Sequence, residues 1–197
     1  MEYTFKIYLS ANELPLDWEN IVGTYNTLLS KSYFEALDDA KPENMVCYFA
    51  AFFSDEILIG GALFQYLSFI DHTTFQKKEI GCDVKNFLAK KLSKDVMYIG
   101  NNMLTGQNGF YFNKEKISTK EASILLDKAT EFMQKKYRKS SLIIYKDFQS
   151  KFMDLFQSKN YDKYFRFSVQ PNMMLKIKDC WGTYEDYLND FSTKYRS

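Results

Sequence analysis

The stretch from Val96 to Tyr145 constrains the fold more than any other part of the chain. It opens with a short apolar strand, Val96-Met97-Tyr98-Ile99, which Gly100 stops. A loop rich in Asn and Gly follows through Phe110, with Asn101, Asn102, Gly106 and Gly109 in it. Ser118 and Glu121 have the spacing of a capping box, each able to satisfy a free amide of a first helical turn. Ala122, Leu125, Leu126, Ala129, Phe132 and Met133 then recur at the three-four spacing that makes one apolar stripe. Leu142-Ile143-Ile144-Tyr145 is a β-branched run too short for a helix and reads as a second strand. Strand, crossover helix and strand predict a right-handed βαβ unit with parallel strands. The loop leaving the C-terminal end of its first strand is where α/β proteins usually place ligands.

The flanking sequence supplies the rest of a sheet. Tyr3, Phe5, Ile7 and Leu9 alternate as one face of a strand. Short helices are predicted around Trp18, after Pro15 and Asp17, and from Ser32 to Lys41-Pro42. Met45–Phe53 and Ile57–Leu67 read as a β-hairpin, with Gly60-Gly61 marking a bulge or a close backbone approach. Asp83 would cap a helix carrying Val84, Phe87, Leu88 and Leu92, and Asp147 another carrying Phe148, Phe152, Leu155 and Phe156. Tyr164–Val169 and Met173–Ile177 read as strands, and Thr183 opens a helix with Tyr184, Tyr187, Leu188 and Phe191. The expectation is an α/β domain (α+β in some schemes), a mixed sheet flanked by helices, over residues 1–179. Residues 180–197 read as the start of a second domain.

Charge and cysteine usage narrow the function classes. A formal net charge of +1, with acids and bases interspersed, argues against nucleic acid as a partner. The cluster Lys77, Lys78, Lys85, Lys90, Lys91 and Lys94 reads as a solvated helix face. Cys47, Cys82 and Cys180 are far apart with no CxxC spacing, which fits a reduced cytoplasm rather than a zinc site or a disulfide framework. His72 is the sole histidine, so no metal-ligand set with His spacing exists. No apolar leader or membrane-length run is present in this sequence. The 18 Phe and 15 Tyr fall mostly at core-facing positions.

Several strings carry a resemblance. They are Gly100-Asn101 followed by Leu104-Thr105-Gly106 and Gly109-Phe110, then Lys146-Asp147-Phe148, Asn160-Tyr161 before a strand, and Gln170-Pro171-Asn172-Met173. With Trp181, Tyr184, Tyr187-Leu188 and the ending Ser192-Thr193-Lys194-Tyr195-Arg196, they are similar to the first half of FemAB-like proteins. These are relatives of the peptidoglycan-bridge aminoacyltransferases, with two GNAT-like (acyl-CoA N-acyltransferase) domains in tandem. The resemblance implies a first GNAT-like domain of an N-acyltransferase that passes an acyl or aminoacyl group to an amine. This half would help bind a small-molecule or peptide amine acceptor. Acyl-CoA or aminoacyl-tRNA would be engaged through the other half, and no cofactor is expected in this one. The sequence departs from the family's CoA loop: no [Arg/Gln]-x-x-Gly-x-[Gly/Ala] precedes Ser118, and Glu115 adds negative charge nearby.

Each candidate residue has two readings. Asn101 and Asn102 can hydrogen-bond a substrate amide or carbonyl, or stabilise a turn through their own side chains. Gly106 and Gly109 serve a backbone-specific turn, or a close ligand approach by an acyl-donor cofactor. Tyr145, with Lys146, lines a groove between splayed strands or belongs to the core. Lys194 and Arg196 match the Lys-x-Arg motif that the resemblance places at a substrate groove; otherwise they are terminal surface charges. No catalytic residue emerges. Besides a transferase half, a non-catalytic binding or scaffolding domain and a stand-alone acetyl-CoA-dependent N-acetyltransferase remain open.

Overall fold

The computed structural model describes residues 2–68, 95–106, 108–147, 154, 156–157, 159–167 and 175–192. The chain divides into two compact units, residues 1–165 and 166–197. In the first, the elements are β1 (Tyr3–Tyr8), α1 (Trp18–Ile21), α2 (Lys31–Ala40), β2 (Met45–Ser54), β3 (Ile57–Ser68), β4 (Asp95–Ile99), β5 (Phe110–Phe112), α3 (Thr119–Lys136) and β6 (Leu142–Tyr145). The second unit contains α4 (Tyr184–Asn189), opened by a capping box between Thr183 and Asp186.

The sheet has the order β1-β2-β3-β4-β6, with β5 on the same edge of β3 as β4. β1 through β4 are antiparallel to their neighbours, whereas β4 and β6 run parallel, in register from Val96–Leu142 to Ile99–Tyr145. α3 is the crossover between them, so the predicted βαβ unit and the mixed α/β sheet flanked by helices are both present. β5 was not expected: three residues are too few to show a period, and pairing with Gly60–Ala62 of β3 alone makes Phe110–Phe112 a strand.

Alternation along the central strands divides the core into two layers. Ala50, Phe52, Ala62, Phe64, Tyr66, Met97 and Ile99 face α3, meeting Leu125, Leu126, Ala129 and Met133. Met45, Cys47, Phe49, Ala51, Leu63 and Leu67 face the other side, where Trp18 and Phe34 lie. Both faces are covered, which is why β2 and β3 read as near-continuous apolar runs.

The β2–β3 turn has positive φ at Asp55 (45°) and Glu56 (70°), the handedness a two-residue hairpin loop needs. A register shift at Phe52/Phe53 is the expected bulge. Gly61 lies under the Trp18 ring, where a Cβ would be 2.2 Å from the nearest ring carbon. Trp18 is fully buried and its indole N–H donates to the Leu29 carbonyl at 2.9 Å.

Four local expectations change. Leu9 is exposed, because β1 ends at Tyr8 and Ser10 caps a 3-10 turn. Phe132, at the margin of the α3 stripe, is partly exposed and packs edge-on against Phe5. Asp147 has φ +57°, not the extended conformation of an N-cap, and residues 148–153 lie outside the described residues. Residues 164–167 and 175–177 are not in strands, and Phe165, Phe167, Leu175 and Ile177 are exposed there. His72, Cys82, the lysine cluster and the helix expected after Asp83 also lie outside the described residues. Among the described residues no helix is long and apolar enough to cross a membrane, and no His, Cys, Asp and Glu cluster could hold a metal.

Candidate functional site

The C-terminal end of β4 is organised by a fork at Leu63 of β3. On one side of it β4 pairs with Phe64–Ser68, and on the other β5 pairs with Gly60–Ala62. Leu63 holds both departures, its amide donating to the Gly109 carbonyl (2.8 Å) and its carbonyl accepting from the Gly100 amide (3.0 Å). Gly100 and Gly109 therefore meet and pinch the intervening chain into a loop; a Cβ on Gly109 would lie 2.2 Å from the Gly100 Cα. Gly100 and Gly106 both have positive φ (137° and 94°), which glycine adopts at no steric cost. Gln107 lies outside the described residues.

The stem of this loop is fastened by buried polar groups. Asn101 is 2% exposed; its oxygen accepts from the Met103 amide at 2.9 Å, while its amide donates to the Tyr33 hydroxyl on α2. The Asn102 backbone amide donates to Gln65 Oε1 at 2.7 Å. Gln65, fully buried on β3, donates in turn to Cys47 Sγ at 3.6 Å. Burial pushes the Cys47 thiol up to about 11, so it stays protonated at neutral pH. The Asn102 carboxamide makes no hydrogen bond among the described residues, and its side chain is half-buried.

Asn108 closes the other side of the stem. Its carbonyl accepts from Asn26 Nδ2 at 3.4 Å, and its own Nδ2 donates to the Phe110 carbonyl. Its Oδ1 is buried and has no hydrogen-bond partner among the described residues. A buried acceptor left unpaired costs about 1–3 kcal/mol. The tip is different: Met103 and Leu104 are about half exposed. Lys146 tethers it: its Nζ donates to the Leu104 carbonyl at 2.7 Å and pairs with the Asp147 carboxylate.

The Tyr145 ring belongs to an aromatic cluster with Phe156, Tyr161 and Tyr164 at centroid distances of 5.2–5.4 Å. Thr130 Oγ1 donates to the Leu126 carbonyl (2.8 Å), so it accepts the Tyr145 hydroxyl proton at 2.9 Å. Burial holds the Tyr145 phenol far above its ordinary value. The parallel pair stays closed past Tyr145, where the Lys146 amide bonds the Ile99 carbonyl at 3.0 Å. No groove opens between β4 and β6 at that point. Lys194 and Arg196 lie outside the described residues.

The start of α3 does not fit a pyrophosphate. Glu121 fills it with a carboxylate, which accepts from the Ser118 hydroxyl (2.7 Å) and amide (3.4 Å) and from the Tyr3 hydroxyl (3.5 Å). The Ser118 hydroxyl holds that carboxyl below its ordinary value, so it is ionised at neutral pH. An incoming phosphate would meet this negative charge at the helix start.

Sequence reasoning placed Asn101, Asn102, Gly106 and Gly109 in one loop but missed Gln65, Asn108 and Asn26. Gln65 had a visible signal, a lone carboxamide in an apolar strand. Asn26 reaches Asn108 across 82 residues, which no local pattern encodes.

No family model matches the sequence, and no curated protein does. Among solved structures, the chain is similar to a ribosomal-protein-alanine N-acetyltransferase from Brucella melitensis biovar Abortus 2308. The identity is 11% and the TM-score 0.47, with 88% of this chain and 100% of that chain covered.

Proposed function

We propose that this chain is the GNAT-like, acceptor-binding part of an N-acyltransferase of the FemAB-like kind, with residues 180–197 beginning the part that engages the acyl donor. The observation that carries the reading is the loop at the C-terminal end of β4. It is pinched by two glycines, fastened by buried carboxamides, and offers hydrogen-bonding groups where a βαβ crossover leaves the sheet. The sequence strings Gly100-Asn101, Leu104-Thr105-Gly106 and Gly109-Phe110, which carry the family resemblance, form this same loop. The amine acceptor would be a small molecule or peptide. Acyl-CoA or aminoacyl-tRNA would meet the protein through residues beyond this domain, Lys194 and Arg196 standing at their threshold.

A second reading, a non-catalytic binding domain of the same fold, is favoured by the carboxylate-filled start of α3 and the closed β4–β6 pair. A stand-alone acetyl-CoA enzyme ranks last for the same reasons.

Thermal unfolding with acetyl-CoA and with primary amines separates the stand-alone enzyme from the other two readings, which differ in whether an acyl group is transferred. A ligand at a hundred times its dissociation constant adds about 2.7 kcal/mol, roughly 5–10 °C for a domain of this size. The proposal expects a shift with an amine-bearing acceptor and none with millimolar acetyl-CoA. A shift with acetyl-CoA alone overturns it in favour of the stand-alone enzyme.

A further inference from the structure

We propose that the cavity between α3 and β6 is a binding site for a free α-amino acid, held as its zwitterion with the side chain on an apolar wall. The site shares no residue with the β4–β5 loop, and the inference does not rest on the transferase reading. The cavity measures about 440 Å³, within the range that small-molecule pockets occupy. Its lining includes Thr130, Glu131 and Lys135 of α3, Ile143 of β6, and Lys163 and Tyr164.

The ligand class follows from which polar groups the fold leaves to spare. The Thr130 hydroxyl is engaged by the Leu126 carbonyl and Tyr145, and the carboxamide of Gln134, also on the wall, by Ser140. Recognition therefore falls to three charges. Asp127, itself buried, anchors Lys163, whose Nζ lies 3.1 Å from one carboxylate oxygen and 3.2 Å from the other. Glu131 approaches Lys163 only to 3.5 Å and Lys135 only to 3.8 Å, beyond the roughly 2.7–2.9 Å of a close charge-assisted bond. Its carboxylate and both ammonium groups belong to side chains about half exposed or more, and keep capacity for a ligand.

Opposite charges so close together discriminate by sign. A lone amine would meet Glu131 but be repelled by two lysines, and a lone carboxylate would meet the lysines but be repelled by Glu131. A molecule with ammonium and carboxylate on one carbon satisfies both signs at once, its ammonium on Glu131 and its carboxylate on Lys163 and Lys135. A peptide holds its terminal charges too far apart to do the same. Ile143 and the half-buried Tyr164 ring, fixed edge-on against Tyr145 at 5.2 Å, give the side chain its apolar wall.

The test is an NMR titration of the 197-residue chain with three probes of one shape. They are L-leucine, isoamylamine, which lacks the carboxylate, and isocaproate, which lacks the ammonium. Leucine should move the Thr130 and Ile143 methyl resonances saturably and bind about tenfold or more tighter than either analogue. Glu131→Gln, a change at a half-exposed position that leaves Lys163 on Asp127, should bring leucine and isocaproate to about the same affinity. No saturable response to leucine at these methyls, leucine binding no tighter than either analogue, or discrimination unchanged in Glu131→Gln overturns the inference. Leucine binding here by a chain that transfers no acyl group in any longer form would leave the inference standing while the transferase reading fell.

Discussion

Replacing Gly109 by Ala attacks the pinch on which the loop depends. The new Cβ would lie 2.2 Å from the Gly100 Cα, 2.9 Å from its N and 3.0 Å from its C, all backbone atoms of the facing chain. Backbone cannot swing aside, so β4 and β5 must separate where Leu63 joins them. Overpacking of this kind costs about 1–3 kcal/mol. Loss of the two Leu63 hydrogen bonds adds about 0.5–1.5 kcal/mol each, for a total of about 2–6 kcal/mol. With a urea dependence of about 2 kcal/mol per molar, the unfolding midpoint should fall by roughly 1–3 M. Gly23→Ala is the matched control: its Cβ would lie 2.4 Å from Glu19 Oε2, the end of a flexible side chain. Moving that carboxylate forfeits its bond from the Lys31 amide (2.9 Å), so the control should cost about 1 kcal/mol. A Gly109→Ala variant no less stable than Gly23→Ala would refute the argument that the two loop ends are in backbone contact.

Two further substitutions have opposite signs. Ser118→Ala removes a hydrogen-bonding partner from both the Glu121 amide and its carboxylate, and should cost about 0.5–2 kcal/mol of stability. The Glu121 carboxyl is held below its ordinary value in the folded chain, so its contribution is present above about pH 4.5 and is lost as pH falls through the folded value. The acid limb of a stability–pH profile should therefore be shallower in Ser118→Ala; an unchanged limb would show that the cap does not set that carboxyl. Tyr66→Phe removes a phenol oxygen that is buried without a partner among the described residues, so stability should hold or rise, by up to about 1–3 kcal/mol. Urea unfolding that shows a loss of more than about 1 kcal/mol would mean that this hydroxyl has a partner after all.

The elements readable from the sequence were those whose signals are local. The Ser118–Glu121 capping box, the three-four stripe of α3 and the β-branched run of β6 each lie within a few residues, and the βαβ unit followed from them. The Gly60-Gly61 pair signalled a bulge or a close backbone approach, though not that Trp18 would be what approaches Gly61. β5 was invisible because its only cause is β3, some 50 residues earlier. Asp147 suggested an N-cap by residue type, but it occupies the left-handed region that Asp tolerates better than most residues. At the loop, residue types announced a site, while its construction depends on Gln65, Tyr33 and Asn26, brought in by the fold. The polar partners of a loop are a tertiary property, and spacing along the chain does not carry them.

On the proposed function, ligand meets this domain at the β4–β5 loop and not at the start of α3. Amide hydrogen exchange, read by mass spectrometry with and without a primary-amine acceptor and then with acetyl-CoA, tests it most directly. Amine-dependent protection is expected in peptides covering residues 100–112, and none from acetyl-CoA across residues 113–124. Protection by acetyl-CoA at 113–124, with the 100–112 peptides unchanged by amine, would contradict it.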